Sequence, residues 1–164
     1  MMSSRLQSEI KQAKPFGSLR QEVLLQMART TAILVHAWEQ ALRVHGITLT
    51  QYNVLRILRG AGPDGLCRHE VASRLITQVP DVSRLLDRMM KAGLVTRTRD
   101  TGDRRLVNAC ITPQGLLLLG QLDDPSYMLV DDQLAHMSDV DLRILIDLLE
   151  TARSPIPPHS SESA

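Results

Sequence analysis

Aromatic side chains are nearly missing from this sequence: Phe16, Trp38, Tyr52 and Tyr127 make up 2% of 164 residues. A core must then be built from Leu, Ile, Val, Ala and Met, which favours helices packed on helices. The hydrophobic fraction of 43% is enough to build one ordinary domain. Long apolar runs are missing too, and none approaches the ~18–20 residues that span a bilayer. The N-terminal stretch MMSSRLQSEIKQAKP has no apolar segment of the kind a secretory signal needs. These absences predict a cytoplasmic protein that does not engage a membrane. Cysteine is scarce. Cys67 and Cys110 are too few and too far apart for a disulfide framework or a zinc site. There is no Gly-rich phosphate loop, no nucleophile elbow and no His-x-x-x-His pair, and the five histidines (36, 45, 69, 136 and 159) are scattered. The expectation is a protein that is not an enzyme and needs neither metal nor cofactor.

Charge of one sign is lacking only in the average. The formal net charge is +1, but residues 55–112 hold eleven Lys/Arg against six Asp/Glu, a net +5. Residues 116–152 hold one Arg against eight Asp/Glu, a net −7. A basic middle is a candidate footprint for nucleic acid, although a solvated basic face has the same composition.

Residues 1–17 read as a polar tail. From Ser18, the positions Leu19, Val23, Met27, Thr31, Leu34, Trp38 and Leu42 recur every three or four residues, a helical stripe closed by Gly46. A second helix is expected over about 50–60, with Thr50 as N-cap and Tyr52, Leu55 and Leu58 inward. GAGPDG at 60–65 is a loop. A short helix follows over about 68–75, with Val71, Ala72 and Leu75 inward, then a turn at 76–79. The next helix opens at Pro80, carries the stripe Val82, Leu85, Leu86 and Met89, and ends at Gly93. The period then changes. LVTRTR (94–99) and RLVNACIT (105–112) are β-branched runs flanking a polar tip, a hairpin pattern. Thr112 and Pro113 form a cap and first-turn pair for a fifth helix, which continues through 129–137 with a bend at Pro125. Ser138 followed by Asp141 signals a sixth helix over 141–153, and 154–164 is a Pro/Ser tail expected to be disordered.

Two short helices, a tight turn and a basic two-stranded wing define a mainly α fold with a small β wing, a winged helix-turn-helix. The major groove admits one helix, and the second helix of this motif enters it with its N-terminal residues at the base edges. Its outward row is Asp81, Arg84, Arg88 and Lys91, flanked by Ser83 and Asp87. Arg reads guanine through two hydrogen bonds, and Arg and Lys both neutralise phosphates. Arg97, Arg99, Arg104 and Arg105 gather around the hairpin, where long cations can reach the negative minor groove. Asp103 beside them fits a buttress that orients a guanidinium.

LTQYNVLRIL at 49–58, VSRLLDRMMKAGLVTR at 82–97, DRR at 103–105 with ITPQG at 111–115, and MSDVDLRILIDLLE at 137–150 occur in that order. Together they resemble regulators of the MarR (multiple antibiotic resistance regulator) family, over about residues 18–153. The resemblance implies a winged helix-turn-helix at about 50–112 and dimerisation helices at about 18–45 and 113–153. It implies a homodimer on a pseudo-palindromic site in double-stranded DNA, acting as a repressor. Ser83 and Arg84 match positions that face the operator. Asp103 and Arg105 match the wing's Asp-x-Arg signature. Cys67 stands where a capping Ser or Thr is usual, and Asp81 puts an acid near the DNA face; both are departures.

Apolar positions Leu142, Leu145, Ile146 and Leu149 are too many for a lone terminal helix, and a second copy would bury them; packing on the first long helix is the other reading. The resemblance also implies release from DNA by a small aromatic acid or phenol. His36, Trp38 and Tyr52, which combine flat apolar bodies with polar atoms, and Arg43, which can pair with a carboxylate, are the candidate contacts; the plain alternatives are core positions for Trp38 and Tyr52, which lie on apolar stripes, and solvated surface positions for His36 and Arg43. Two other functions stay open: a cysteine-based redox-sensing regulator, and a winged-helix interaction module that does not bind DNA.

Overall fold

The computed structural model describes residues 5–99 and 107–154. Seven helices and three short strands follow in chain order among them: α1 (Arg5–Glu9), α2 (Leu19–Arg43), α3 (Leu49–Ala61), β1 (Leu66–Cys67), α4 (Arg68–Arg74), α5 (Val82–Lys91), β2 (Val95–Arg99), β3 (Val107–Ile111), α6 (Pro113–Leu134) and α7 (Asp139–Arg153). The chain divides into two compact units, Met1–Tyr127 and Met128–Ala164.

Local chemistry sets the element ends. Ser18 accepts from the Gln21 N–H at 3.2 Å and opens α2. The second helix is capped by Thr48 and not by Thr50. Thr48 has Gln51 three residues on, and the two exchange hydrogen bonds: Gln51 N–H to Thr48 Oγ1 at 3.2 Å, and Thr48 N–H to Gln51 Oε1 at 2.9 Å. Pro80 precedes α5 instead of opening it. Asp81 is the N-cap, and its Oδ1 accepts from the Arg84 N–H at 2.8 Å. At the far end Gly93, at φ 73°, takes the left-handed conformation. Its N–H donates to Met90 O at 2.9 Å while the Leu94 N–H donates to Met89 O at 3.0 Å, the paired closure that turns the chain directly into β2.

The hairpin is as expected, with β2 and β3 antiparallel and Val95 opposite Ile111, Arg97 opposite Ala109 and Arg99 opposite Val107. The third strand, β1, was not legible. It pairs Leu66 with Ala109 and Cys67 with Asn108, and two residues are too few to show an alternation. Two further departures concern helices. Arg5–Glu9 forms α1 within the segment read as a tail, with Leu6 buried. Ala72 is exposed, because α4 is only seven residues long and buries a single residue, Val71.

The core is aliphatic, as the composition requires: Leu42, Val54, Leu55, Leu58, Val71, Leu85, Leu86, Met89, Val95 and Leu119 belong to it, with Tyr52 its one fully buried aromatic residue. It lies between the helix-turn-helix, the sheet and the first half of α6. Gly115 allows that approach. A Cβ there would overlap the Leu94 carbonyl oxygen and crowd Ile111 and Leu55. Thr112 fixes the same corner. Its hydroxyl donates to Gly93 O at 2.6 Å and accepts from the Gly115 N–H at 3.0 Å. α6 then runs through Pro125 as one helix, although the proline withholds one backbone N–H.

Candidate nucleic-acid interface

The turn of the helix-turn-helix is pinned from below. Asn53 on α3 accepts the Ile76 N–H at 3.2 Å, holding the segment between α4 and α5. Asp81 then caps α5, so the acid that looked misplaced beside a DNA face satisfies a backbone N–H of its own helix. Leu85, Leu86 and Met89 are buried, which turns Arg84, Asp87 and Arg88 outward.

The basic excess of the middle segment is unevenly available. Arg59 forms a two-pronged pair with Asp123 on α6, one arm at 3.2 Å and the other shorter. That hydrogen bonding raises the Arg59 pKa further above its ordinary value. Arg59 therefore stays charged throughout any working pH, and the stability that its charge contributes is lost as pH rises through that raised value. The guanidinium is 37% exposed, so screening keeps the pair in the range of about 0.2–1 kcal/mol. Arg56 lies 5.9 Å from the Tyr52 ring centre and 5.8 Å from that of Tyr127. Both cations therefore bind α3 to α6, a role that counting charge along the chain could not separate from DNA contact. Arg74 pairs with Glu70 at 3.7 Å. Arg68, Arg84, Arg88 and Lys91 have no ion-pair partner among the described residues.

Arg97 reaches across from β2 to Asp87 on α5 at 2.6 Å. With Arg68 and Ser83 it rims a cleft of about 190 Å³ floored by Leu86 and Ala109. A neighbouring cleft of about 200 Å³ joins Arg68, His69 and Ser83 to the turn before α5. Arg68 borders both, and no sequence reading had selected it. Its only signal was its place at the first position of α4. Arg99 ends β2; Asp103, Arg104 and Arg105, the expected wing tip, lie outside the described residues.

Of the four candidate ligand contacts, Trp38 and Tyr52 come together, whereas Arg43 lines a cleft that the other three do not border. Trp38 and Tyr52 meet edge to face, with ring centres 6.0 Å apart and planes at 61°. Among the described residues, neither the Trp38 Nε1–H nor the Tyr52 hydroxyl finds a hydrogen-bond partner, and both atoms are buried. Arg43 lines a different cleft, of about 310 Å³, with Glu39, Gly46, Ile47 and Thr48. His36 is exposed and lies 3.4 Å from Gln40 Nε2. Cys67 and Cys110 are free thiols. Cys110 is buried, with Sγ 3.2 Å from Thr98 Oγ1, and the sheet register sets Cys67 opposite Asn108. Among the described residues no three His, Cys, Asp or Glu side chains cluster as metal ligands do, and no helix is long and apolar enough to cross a membrane.

A two-helix motif with an outward basic row, followed by a β-hairpin packed against its second helix, defines a winged helix-turn-helix protein. The chain belongs to the MarR family. The family's sequence profile matches residues 45–106. A MarR transcription factor from Planctomyces limnophilus is 38% identical, with 83% of this chain and 98% of that one covered and a TM-score of 0.63. The HTH-type transcriptional regulator TtmR of Methylorubrum extorquens is 36% identical over 87 residues, which are 53% of this chain and 44% of that regulator. The match thus spans less than half the length of that relative. The fold is also that of S. aureus MepR, solved as a DNA complex: 23% identity, 80% of this chain and 94% of that one covered, TM-score 0.69.

Proposed function

We propose that this chain is a transcriptional regulator that binds double-stranded DNA, a repressor acting as a homodimer on a pseudo-palindromic operator. The observation that carries the reading is the outward row Arg84, Arg88 and Lys91 on α5, three cations without carboxylate partners among the described residues. In this reading α5 enters the major groove. Arg84 meets base edges, and Ser83, at the start of the helix, and Arg88 and Lys91 meet phosphates. Arg99, Arg104 and Arg105 carry the wing into the minor groove, with Asp103 orienting Arg105, and Arg97, at the base of the wing beside α5, meets the DNA backbone. The fold shared with MepR, a protein crystallised on DNA, supports this docking.

Exposed apolar side chains support the dimer. α7 buries none of its residues, and Val140, Ile144, Ile146 and Leu148 are all more than half exposed. On α2, Leu19, Val23, Leu24 and Ile33 are exposed, and only Leu42 is buried. Such surface is costly in water, and a two-fold partner removes it. The acidic C-terminal segment suits a surface turned away from DNA.

The test is fluorescence anisotropy with a duplex selected from a random-sequence pool, titrated across salt concentrations. Each phosphate neutralised contributes a slope of about −0.9 in log K against log salt, so two subunits should give a slope of several units. A slope near zero refutes the electrostatic reading.

A further inference from the structure

Positions three and four apart are neighbours on a helix, so Asp87 on α5 has Arg84 behind it and Lys91 ahead as ready partners. It pairs with neither. Its Oδ1 accepts from Nη2 of Arg97, ten residues further along the chain, at 2.6 Å. The strand explains the choice. Alternation puts Arg97 on the same face of β2 as Val95, a core residue, and directly opposite Ala109, which is also buried. Arg97 therefore emerges where the core-facing stripe of the hairpin meets α5. There its side chain joins Ser83 and Arg68 around the cleft already described. Both members of the pair are about half exposed, so neither is needed to fill the core.

We propose that Asp87 is a positioning residue for DNA binding. It holds Arg97 of the wing against the recognition helix, so that Arg97, Arg68 and Ser83 face one DNA phosphate as a single set of donors. A guanidinium held by a carboxylate on one edge keeps further N–H groups free, and a fixed fork binds phosphate better than a mobile one. The inference rests on the DNA-binding reading given above, and it makes a prediction of opposite sign to simple electrostatics. An acid near phosphates that does nothing else weakens binding, so removing it should tighten the complex. A positioning acid does the reverse: its loss loosens the complex although the protein becomes more positive.

The experiment compares wild type, Asp87→Ala, Asp87→Glu, Arg97→Ala and the Asp87→Ala/Arg97→Ala double variant, all as full chains. Anisotropy is read on a duplex selected by the wild type, and circular dichroism melts check the fold. Asp87→Ala is expected to weaken binding about fivefold or more, a coupling of the size contacting residues show. The double variant should bind no worse than Arg97→Ala alone, Asp87→Glu should recover much of the loss, and the melting temperatures should stay together. If Asp87→Ala binds as well as or better than wild type, or if the two losses multiply in the double variant, the positioning role is overturned while DNA binding stands. If the wild type selects no duplex and binds none at low salt, the DNA-binding reading falls and this inference falls with it.

Discussion

Single residues decide how closely the elements of the winged helix approach one another, and two substitutions separate packing from contact with DNA. Gly115 sits where α6 starts over the Leu94 carbonyl, and that oxygen belongs to backbone that cannot swing aside. Gly115→Ala is expected to destabilise the fold by about 1–3 kcal/mol, the usual penalty of overpacking, as a lower urea midpoint. An unchanged midpoint would show that the corner can relax. Arg84 makes no ion pair among the described residues, so its loss costs the fold little. Arg84→Ala and Arg105→Ala should each weaken operator binding by at least ~1 kcal/mol while the melting temperature and the oligomeric state stay the same. Wild-type affinity in both variants would mean that the chain docks on DNA in another way.

Among the elements, the junction of α2 with α3 is where a ligand has most to gain. Trp38 and Tyr52 touch there, and each holds a buried polar atom that the described residues leave without a partner. Such a group costs stability, roughly 1–3 kcal/mol for a buried donor left unsatisfied. A small phenol or aromatic acid with an acceptor at that spot would recover two hydrogen bonds. It would release DNA only by binding one arrangement of the reading heads better than the other. Tyr52→Phe removes the unpaired hydroxyl, so the unliganded protein should melt at the same temperature or higher. The same change should raise the concentration of salicylate-like or phenolic compound needed to dissociate the DNA complex. His36→Ala serves as the comparison, since His36 is exposed. Equal sensitivity of both variants and the wild type would remove Tyr52 from the site. If no compound in a broad panel releases DNA, this form of control is absent.

For the whole molecule, the balance of exposed and buried apolar surface points beyond the single chain. A 15-residue helix that buries none of its own residues gains little from folding alone. Sedimentation at micromolar concentration should therefore give twice the mass of the 18.3 kDa chain. Replacing Ile144 and Leu148 on α7 with Asp should shift it to the monomer and abolish high-affinity binding to a two-fold duplex, because each half-site alone carries only half the contacts. A wild-type monomer at that concentration would count decisively against the dimer.

Local chemistry within a few residues was enough to determine much of this protein. The apolar period of α5, the change of period at 94–111, the Thr112 and Ser138 caps and the near absence of aromatics each act over one or two turns of chain. For that reason the helix-turn-helix, the hairpin and an aliphatic core are legible in the sequence. Tertiary structure alone decided the partners of the charged groups. Arg56, Arg59 and Arg97 look like equal members of a basic segment, yet Arg59 is bound to Asp123, Arg56 lies between two tyrosine rings and Arg97 is bound to Asp87. The two-residue strand β1 and the capping role of Asp81 were hidden for a related reason: one depends on a neighbour 43 positions away in register, the other on where the helix actually starts. Hydrophobic period is a property of the chain, whereas the pairing of long flexible cations is settled only when distant segments come within ~4 Å, the reach of an ion pair.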